Sequence, residues 1–183
     1  MKASGACLSW VEEPEPDWAP VTLPHLLLED SFLTGDSAES RVSVRYYRRS
    51  ADGVMVAKAC FGRAAQGPPG HAHGGSVAAL LDESMGGAAW MLGEPVVAAE
   101  LTVRFRRMLP LGTKVVVETR VERADGRKIH MGATLRDVAG TVFADGSGLF
   151  IQIDPARVGL LGADVKTLVP QVSEGPKSSP SQS

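Results

Sequence analysis

A single helical segment among many alternating stretches constrains the fold of this chain most. Apolar and polar residues alternate in six stretches, as they do in strands with one buried face. The six stretches are 41–49, 54–61, 96–107, 114–122, 128–138 and 141–153. Between the second and the third, residues 73–92 repeat their apolar positions at helical spacing. Asp125-Gly126 and Ala139-Gly140 predict hairpin turns. The order of elements predicts an α+β fold, with an antiparallel sheet wrapped around one long central helix.

The predicted helix has two different faces. One face is an apolar stripe wide enough to pack on a sheet, formed by Val77, Leu80, Leu81, Ser84, Met85, Ala88, Met91 and Leu92. The other face carries small residues and one carboxylate, namely Ala78, Ala79, Asp82, Gly86 and Ala89. Small residues allow another surface to approach closely. We therefore expect a second copy of the chain to cover this face through a two-fold contact.

Length and composition divide the chain into three parts. A chain of 183 residues suits one domain. Residues 1–40 contain several prolines and predict an irregular N-terminal arm. Residues 41–155 carry the alternating pattern and form the predicted domain. Residues 156–183 form a C-terminal tail, whose end is too polar to pack and is predicted to be disordered.

Charge and cysteine content exclude several classes of protein. The net charge of −2 and the pI of 6.1 argue against a nucleic-acid partner. A spanning helix needs about 18 consecutive apolar residues, and the sequence has no such run. Acidic residues soon follow Cys7, so we expect no secretory signal. Cys7 and Cys60 match neither a metal spacing nor a disulfide framework, which predicts a reducing, cytoplasmic location.

The segment with the clearest chemistry is the entry into the predicted helix. A loop rich in glycine and proline leads into the helix through His73-Gly74-Gly75. The first turn of a helix has free N–H groups and a partial positive charge, and glycine lets an oxygen atom approach them. Such a site suits a carbonyl that gains negative charge. An ordinary turn into a helix is the alternative interpretation.

The only carboxylate among the small residues of the helix is Asp82. An acidic helix residue usually faces solvent, but Ala78, Gly86 and Ala89 are not typical of a solvated face. Asp82 follows His73 by nine residues, which is about 13 Å along the axis and on the other side of the helix. It cannot reach a carbonyl held by the glycine amides of its own chain. This spacing predicts a composite site at a dimer interface, with two sites per dimer.

The motif resembles a known family. His-Gly-Gly with an acidic residue nine positions after the histidine is similar to the hotdog-fold acyl-CoA thioesterases of the PaaI-like group. The string Gly67-Pro-Pro-Gly-His-Ala-His-Gly-Gly75 resembles thioesterase superfamily members 4 and 5 in particular. Further similarity lies in 109–111, 126–128 and 149–151. The resemblance implies a hotdog fold, a dimer or dimer of dimers with a continuous sheet, and hydrolysis of a fatty or aryl acyl-CoA.

The resemblance also implies roles for individual residues. Asp82 would act as general base or nucleophile, and Gly75, with Gly74 as a second candidate, would polarise the thioester oxygen. His73 would hold the loop, and Gln66 would orient water. In several relatives a Ser or Thr stands at the position aligned with Ala98, where it helps to position water. Its absence puts the rate of the reaction in doubt.

Other residues are candidates for binding the substrate. Arg127 and Lys128 follow a turn and would contact the phosphates of coenzyme A, whereas ordinary strand-edge charge explains Arg104. Trp90 and Met85 would line an apolar tunnel for the acyl chain. We expect neither a metal nor a separate cofactor, because coenzyme A is part of the substrate.

Two other functions fit the same residues. A non-catalytic acyl-CoA-binding protein, acting as sensor or carrier, is favoured by Ala98. A hydratase or dehydratase of the same fold usually pairs a histidine with an acid across the site, and here the acid follows His-Gly-Gly in thioesterase order. Hydrolysis of acyl-CoA, as part of lipid metabolism, is therefore the leading prediction.

Overall fold

A computed structural model describes residues 5–23, 32–33 and 41–154 of the chain. Its helices are α1, Gly5–Glu12, and α2, Gly74–Met91, and a short 3₁₀ turn spans Arg63–Ala65. Its strands are β1 Trp18–Val21, β2 Val42–Arg49, β3 Met55–Phe61, β4 Val96–Phe105, β5 Lys114–Asp125, β6 Lys128–Asp137 and β7 Val142–Gln152. The six predicted strands and the predicted long helix are confirmed, with ends within a few residues of the expected positions.

The strands form one antiparallel sheet in the order β1-β2-β3-β5-β6-β7-β4. The helix α2 packs against this sheet and contacts β3, β4, β5, β6 and β7. Gly126 and Gly140 have φ values of 54° and 89°, so both predicted turns use the backbone freedom of glycine. This is the hotdog arrangement, a sheet wrapped around one long helix, as the resemblance implied.

The predicted apolar stripe of α2 lies in the core. Val77, Leu80, Leu81, Ser84, Met85 and Ala88 are all buried. Leu92 is 56% exposed, because the helix ends at Met91 and the backbone turns there. Ala89 was expected on the outward side of the helix, and that expectation is wrong. Ala89 and Trp90 are both buried near the end of α2, where the Trp90 Nε1 donates to the Val96 carbonyl at 3.0 Å.

The N-terminal arm is more regular than predicted. β1 pairs with β2, from Trp18 opposite Arg49 to Val21 opposite Tyr46, so the sheet has a seventh strand. α1 packs on the sheet through a small second apolar cluster, which consists of Cys7, Val11 and Cys60. The expectation of an irregular arm is therefore wrong for these two elements. The predicted boundary at residue 40 and the predicted disordered tail lie outside the described residues.

A buried lysine and a disulfide attach α1 to the sheet. The Lys58 Nζ donates to the Glu13 carbonyl at 2.6 Å and to Glu15 Oε1 at 3.1 Å, and it lies 4.5 Å from the centre of the Trp10 ring. Cys7 and Cys60 form a disulfide across 53 residues of sequence. The expectation that these cysteines form no disulfide is wrong, because their pairing depends on how α1 packs. A cytoplasmic location consequently loses its cysteine argument and stays a prediction.

β4 forms one edge of the sheet and is exposed along most of its length. Its pairing with β7 shifts between Ala98 and Glu100, where the strand has a bulge. Leu101 and Phe105 are apolar and exposed by 36% and 56%. An apolar edge strand with free backbone groups favours pairing with another chain. Within the described ranges, no helix has both the length and the apolar character needed to cross a membrane.

Candidate active site

Within the described residues, one backbone amide at the start of α2 makes no hydrogen bond. His73 is the N-cap, with φ −67° and ψ 136°, and its Nδ1 accepts the N–H of Gly75 at 2.9 Å. The amides of Ser76 and Val77 bond to the His73 carbonyl at 3.0 and 3.2 Å. The Gly74 N–H makes no hydrogen bond in the part of the chain that the structure describes. The predicted donor, the Gly75 N–H, is therefore already bonded to His73, and the Gly74 N–H is available to a ligand.

The loop before α2 is held by backbone bonds. The His73 N–H donates to the Ala65 carbonyl at 2.7 Å, and the Ala72 N–H donates to the Leu109 carbonyl at 2.8 Å. A Cβ atom on Gly67 would lie 2.9 Å from the His73 Cα, so only glycine fits there. The Gln66 Oε1 accepts the Gly70 N–H at 3.2 Å. Gln66 therefore holds the loop here, and its role in orienting water stays a prediction.

A mostly apolar cavity of about 340 Å³ opens beside Gly74. Its lining consists of Pro68, Ala72, Gly74, Val77, Phe105, Arg106, Arg107, Met108, Leu109 and Phe143. A Cβ atom on Gly74 would lie 3.1 Å from the Phe105 Cζ, so glycine keeps this approach open. Sequence reasoning missed the contribution of Phe105 and Met108. The available signal was that the strand pattern ends there with large apolar residues.

The two arginines of this cavity are held by β7. Arg106 Nε donates to Asp145 Oδ2 at 2.7 Å, and Arg107 Nη1 donates to the Val142 carbonyl at 3.1 Å. Both side chains are exposed, so the ion pair adds little to stability. Their positive charge still lies at the end of the cavity beside Gly74. An anionic group near that end would be stabilised by them.

Asp82 has an unusual environment for an acidic residue, which normally faces solvent. Its Oδ1 is buried and has no hydrogen-bond partner in the described ranges. Burial raises the pKa of its carboxyl above the usual value. A Cβ atom on Gly86, one turn further along the same face, would lie 3.4 Å from the Phe150 Cε1. Phe150 pairs with Ala98, so this face of α2 points toward β7 and the edge strand β4.

One chain does not bring Asp82 and the free amide together. Gly74 and Asp82 are eight residues apart on α2, which is about 12 Å along the helix axis. A water molecule held by Asp82 would be too far from a carbonyl held by Gly74 of the same chain. This separation agrees with the composite site, which stays a prediction.

The predicted phosphate contacts lie at the other end of the sheet. Arg127 donates to the Gln152 carbonyl at 2.7 Å, and Lys128 pairs with Ile151. Gln152 pairs with the first residue of β4, whereas Phe105 is its last residue. Nine strand steps cover about 30 Å. In a single chain, Arg127 and Lys128 are therefore remote from Gly74.

Met85 and Trp90 lie in the hydrophobic core, and neither lines the cavity beside Gly74. Their predicted contact with an acyl chain stays a prediction. The His71 Nδ1 is within hydrogen-bond distance, 2.9 Å, of the Pro69 carbonyl. Among the described residues, no three His, Cys, Asp or Glu side chains are grouped so that they would bind a metal ion.

The capping role of His73 can be tested by substitution. We expect His73→Ala to destabilise the fold by about 0.5–2 kcal/mol, because the N-cap acceptor is lost. His73→Asn keeps a side-chain acceptor at the same position and should retain most of the stability. Urea unfolding of both variants measures the difference. Equal stability of the two variants would show that the Nδ1 contact with Gly75 contributes nothing.

Residues 69–144 match the family model described as Thioesterase superfamily. Acyl-coenzyme A thioesterase THEM5 of Mus musculus is 39% identical over 90 residues, which are 48% of this chain and 36% of the relative. Acyl-coenzyme A thioesterase THEM4 of Bos taurus is 34% identical over 93 residues, 50% of this chain and 38% of the relative. The structure of the E. coli PaaI protein superposes with a TM-score of 0.55 at 17% identity, covering 62% of this chain and 80% of that one.

The fold and the helix entry define a hotdog-type domain. The matched segment contains His73-Gly74-Gly75 and Asp82, so the similarity includes the candidate site. The predicted resemblance to PaaI-like acyl-CoA thioesterases, and to superfamily members 4 and 5, is confirmed. The chain spans little more than a third of the length of these two curated relatives.

Proposed function

We propose that this chain hydrolyses acyl-CoA thioesters at sites that two copies form together. The observation that carries this proposal is that one helix presents two polar groups without hydrogen-bond partners in the described part of the chain. Among the described residues, these are the Gly74 N–H beside an apolar cavity, which makes no hydrogen bond, and the buried Asp82 Oδ1, which has no partner. The names of the relatives THEM4 and THEM5 support an acyl-coenzyme A thioester as the substrate.

The proposed reaction uses one donor and one carboxylate. The Gly74 N–H donates to the thioester carbonyl oxygen and stabilises the negative charge that develops there. The Asp82 carboxylate accepts a proton from water, whose oxygen attacks the carbonyl carbon. The C–S bond then breaks, and the coenzyme A thiolate takes up the proton while the free acid forms. Direct attack by Asp82 on the carbonyl carbon is the alternative. In a single turnover in ¹⁸O-labelled water, incorporation of ¹⁸O into the Asp82 carboxylate would identify this alternative.

The proposed second copy joins along β4. The exposed strand offers free backbone groups and apolar side chains, which are the features of an edge that pairs with another chain. An antiparallel two-fold pairing of β4 would continue the sheet and set two α2 helices side by side. Asp82 of one chain would then lie near Gly74 of its partner, as the separation of about 12 Å within one chain requires.

Each part of the substrate has a proposed place. The acyl group would enter the apolar cavity beside Gly74. Arg127 and Lys128, remote from Gly74 in their own chain, would reach the coenzyme A phosphates bound at the partner's helix. Trp90 and Met85 remain the proposed wall of a deeper acyl tunnel. A cytoplasmic location, a role in lipid metabolism and the absence of nucleic-acid partners remain expectations.

Release of free thiol from a panel of fatty and aryl acyl-CoAs tests the proposed activity. Turnover of at least one member supports hydrolysis. Binding of acyl-CoA without any turnover would instead support the non-catalytic sensor or carrier, which Ala98 favours because the helping hydroxyl is missing. Absence of both binding and turnover would reject both functions.

The β4 interface gives a separate prediction. We expect Leu101→Arg to yield monomers that release no thiol, because charged side chains would meet across the proposed two-fold axis. Val138→Arg is the matched control, since Val138 is 64% exposed in the turn between β6 and β7. Light scattering measures the mass, and circular dichroism shows that both variants are folded. A folded Leu101→Arg variant that stays dimeric and active would place the interface elsewhere.

A further inference from the structure

We propose that a second cavity, at the far end of α2, binds a long-chain fatty carboxylate. This cavity has a volume of about 420 Å³, within the usual range for small-molecule sites. Its lining is mostly apolar and includes Met55, Ala88, Met91 and Met131. Methionine side chains adapt to flexible chains. The site does not depend on the proposed hydrolysis.

The cavity is distinct from the candidate active site. The two cavities share no lining residue. Gly74 lines one and Met91 the other, and they are seventeen residues apart on α2, which is about 25 Å. The second cavity is built by α2 with strands β1, β2, β3, β5 and β6, on the side of the sheet away from the edge strand β4. A ligand there would not occupy the proposed dimer interface.

An unpaired cation lies at the rim of this cavity. Arg48 is exposed and makes no side-chain hydrogen bond or ion pair in the described part of the chain. The nearby Asp52 does not neutralise it, because Asp52 pairs with Arg49 at 2.8 Å. Gly53, with φ 71°, allows the guanidinium to lie close, since a Cβ atom there would be 3.4 Å from the Arg48 Nη2. The rim can therefore take an anionic group.

The polar group inside the cavity already has a hydrogen-bond partner, so the interior suits an apolar ligand. Its buried hydroxyl, on Thr119, already donates to the Met55 carbonyl at 2.9 Å. Arg120 lies at the mouth, and in the described part of the chain its side chain pairs with the exposed Glu122 at 2.8 Å, a contact that holds it weakly. An apolar interior with cationic groups at its mouth fits an alkyl chain that ends in a carboxylate. A neutral lipid would leave Arg48 without a partner.

Calorimetric titration with dodecanoate and dodecan-1-ol tests this site. We expect wild type to bind dodecanoate, and Arg48→Met to weaken that binding about tenfold, since a hydrogen bond to a charged group is lost. Binding of the alcohol should not change with Arg48→Met. Val121→Glu, at an exposed position of the lining, should weaken both ligands by placing a carboxylate at the mouth. Val138→Glu is the matched control away from the cavity and should bind like wild type.

Each outcome decides the proposal. Dodecanoate that binds wild type, Arg48→Met and Val121→Glu with equal affinity occupies another site, and the proposal is then wrong. Equal weakening of the acid and the alcohol by Arg48→Met would also overturn it, because the carboxylate would have no special partner. Melting curves of the variants show that the fold is retained.

Discussion

The Asp82→Asn variant is expected to lose about 10²–10⁴-fold in thiol release, the usual contribution of a general base. The amide has the same shape as the carboxylate but cannot accept the proton of water. Because burial raises the pKa of Asp82, the acidic limb of the wild-type kcat/KM profile should lie above the ordinary value of 3.8. An Asp82→Asn variant with wild-type turnover would remove this residue from the mechanism.

The same substitution is expected to stabilise the fold. A raised pKa means that the folded state disfavours the ionised carboxylate, so stability falls as pH rises from 3.8 through the pKa of the folded state. The variant lacks that cost. At neutral pH its Tm should therefore be higher than that of wild type.

Calorimetry at several pH values measures this difference. The Tm values of wild type and Asp82→Asn should converge below pH 3.8, where Asp82 is protonated in both the folded and the unfolded state. An Asn variant that is less stable at neutral pH would mean that the carboxylate has a stabilising partner.

Gly74→Pro should lower kcat by about 10²–10³-fold, the usual effect of removing one oxyanion donor. Gly74 is the first residue of α2, the position where proline fits best in a helix. His73 already has the extended ψ of 136° that a residue before proline requires. The substitution therefore deletes the free N–H while the helix is kept.

Gly74→Ala is the matched variant. Its Cβ meets the same Phe105 ring, which is exposed and can shift, but the N–H remains. We expect a much smaller loss of thiol release than with proline. Similar losses in the two variants would mean that crowding by Phe105, and not the amide, controls the rate.

The elements with local signals were predictable. Six strands follow from alternation of apolar and polar residues, and α2 follows from its 3.6-residue period. β1 was missed because Trp18–Val21 is only four residues long and contains Pro20, which an edge strand tolerates but a sequence pattern does not reveal. α1 was missed because eight residues form a helix only when tertiary contacts hold it, here those around Val11.

The residues of the candidate site could be proposed from the sequence, but their hydrogen bonds could not. The small neighbours of Asp82 correctly indicated a partly buried carboxylate. Which glycine amide is free depends on where the His73 ring lies, and spacing along the chain carries no information on that. The Cys7–Cys60 disulfide and the cavity beside Arg48 depend on packing between distant segments. Neither has a local signature.

The most direct test of the composite site combines two inactive chains. Asp82→Asn and Gly74→Pro chains, carrying different affinity tags, are mixed by refolding, and heterodimers are purified through both tags. Each heterodimer would contain one site with both substitutions and one with neither, so thiol release should return to about half of the wild-type rate. Purified heterodimers that remain as inactive as their parents would show that Asp82 and Gly74 do not act across two chains.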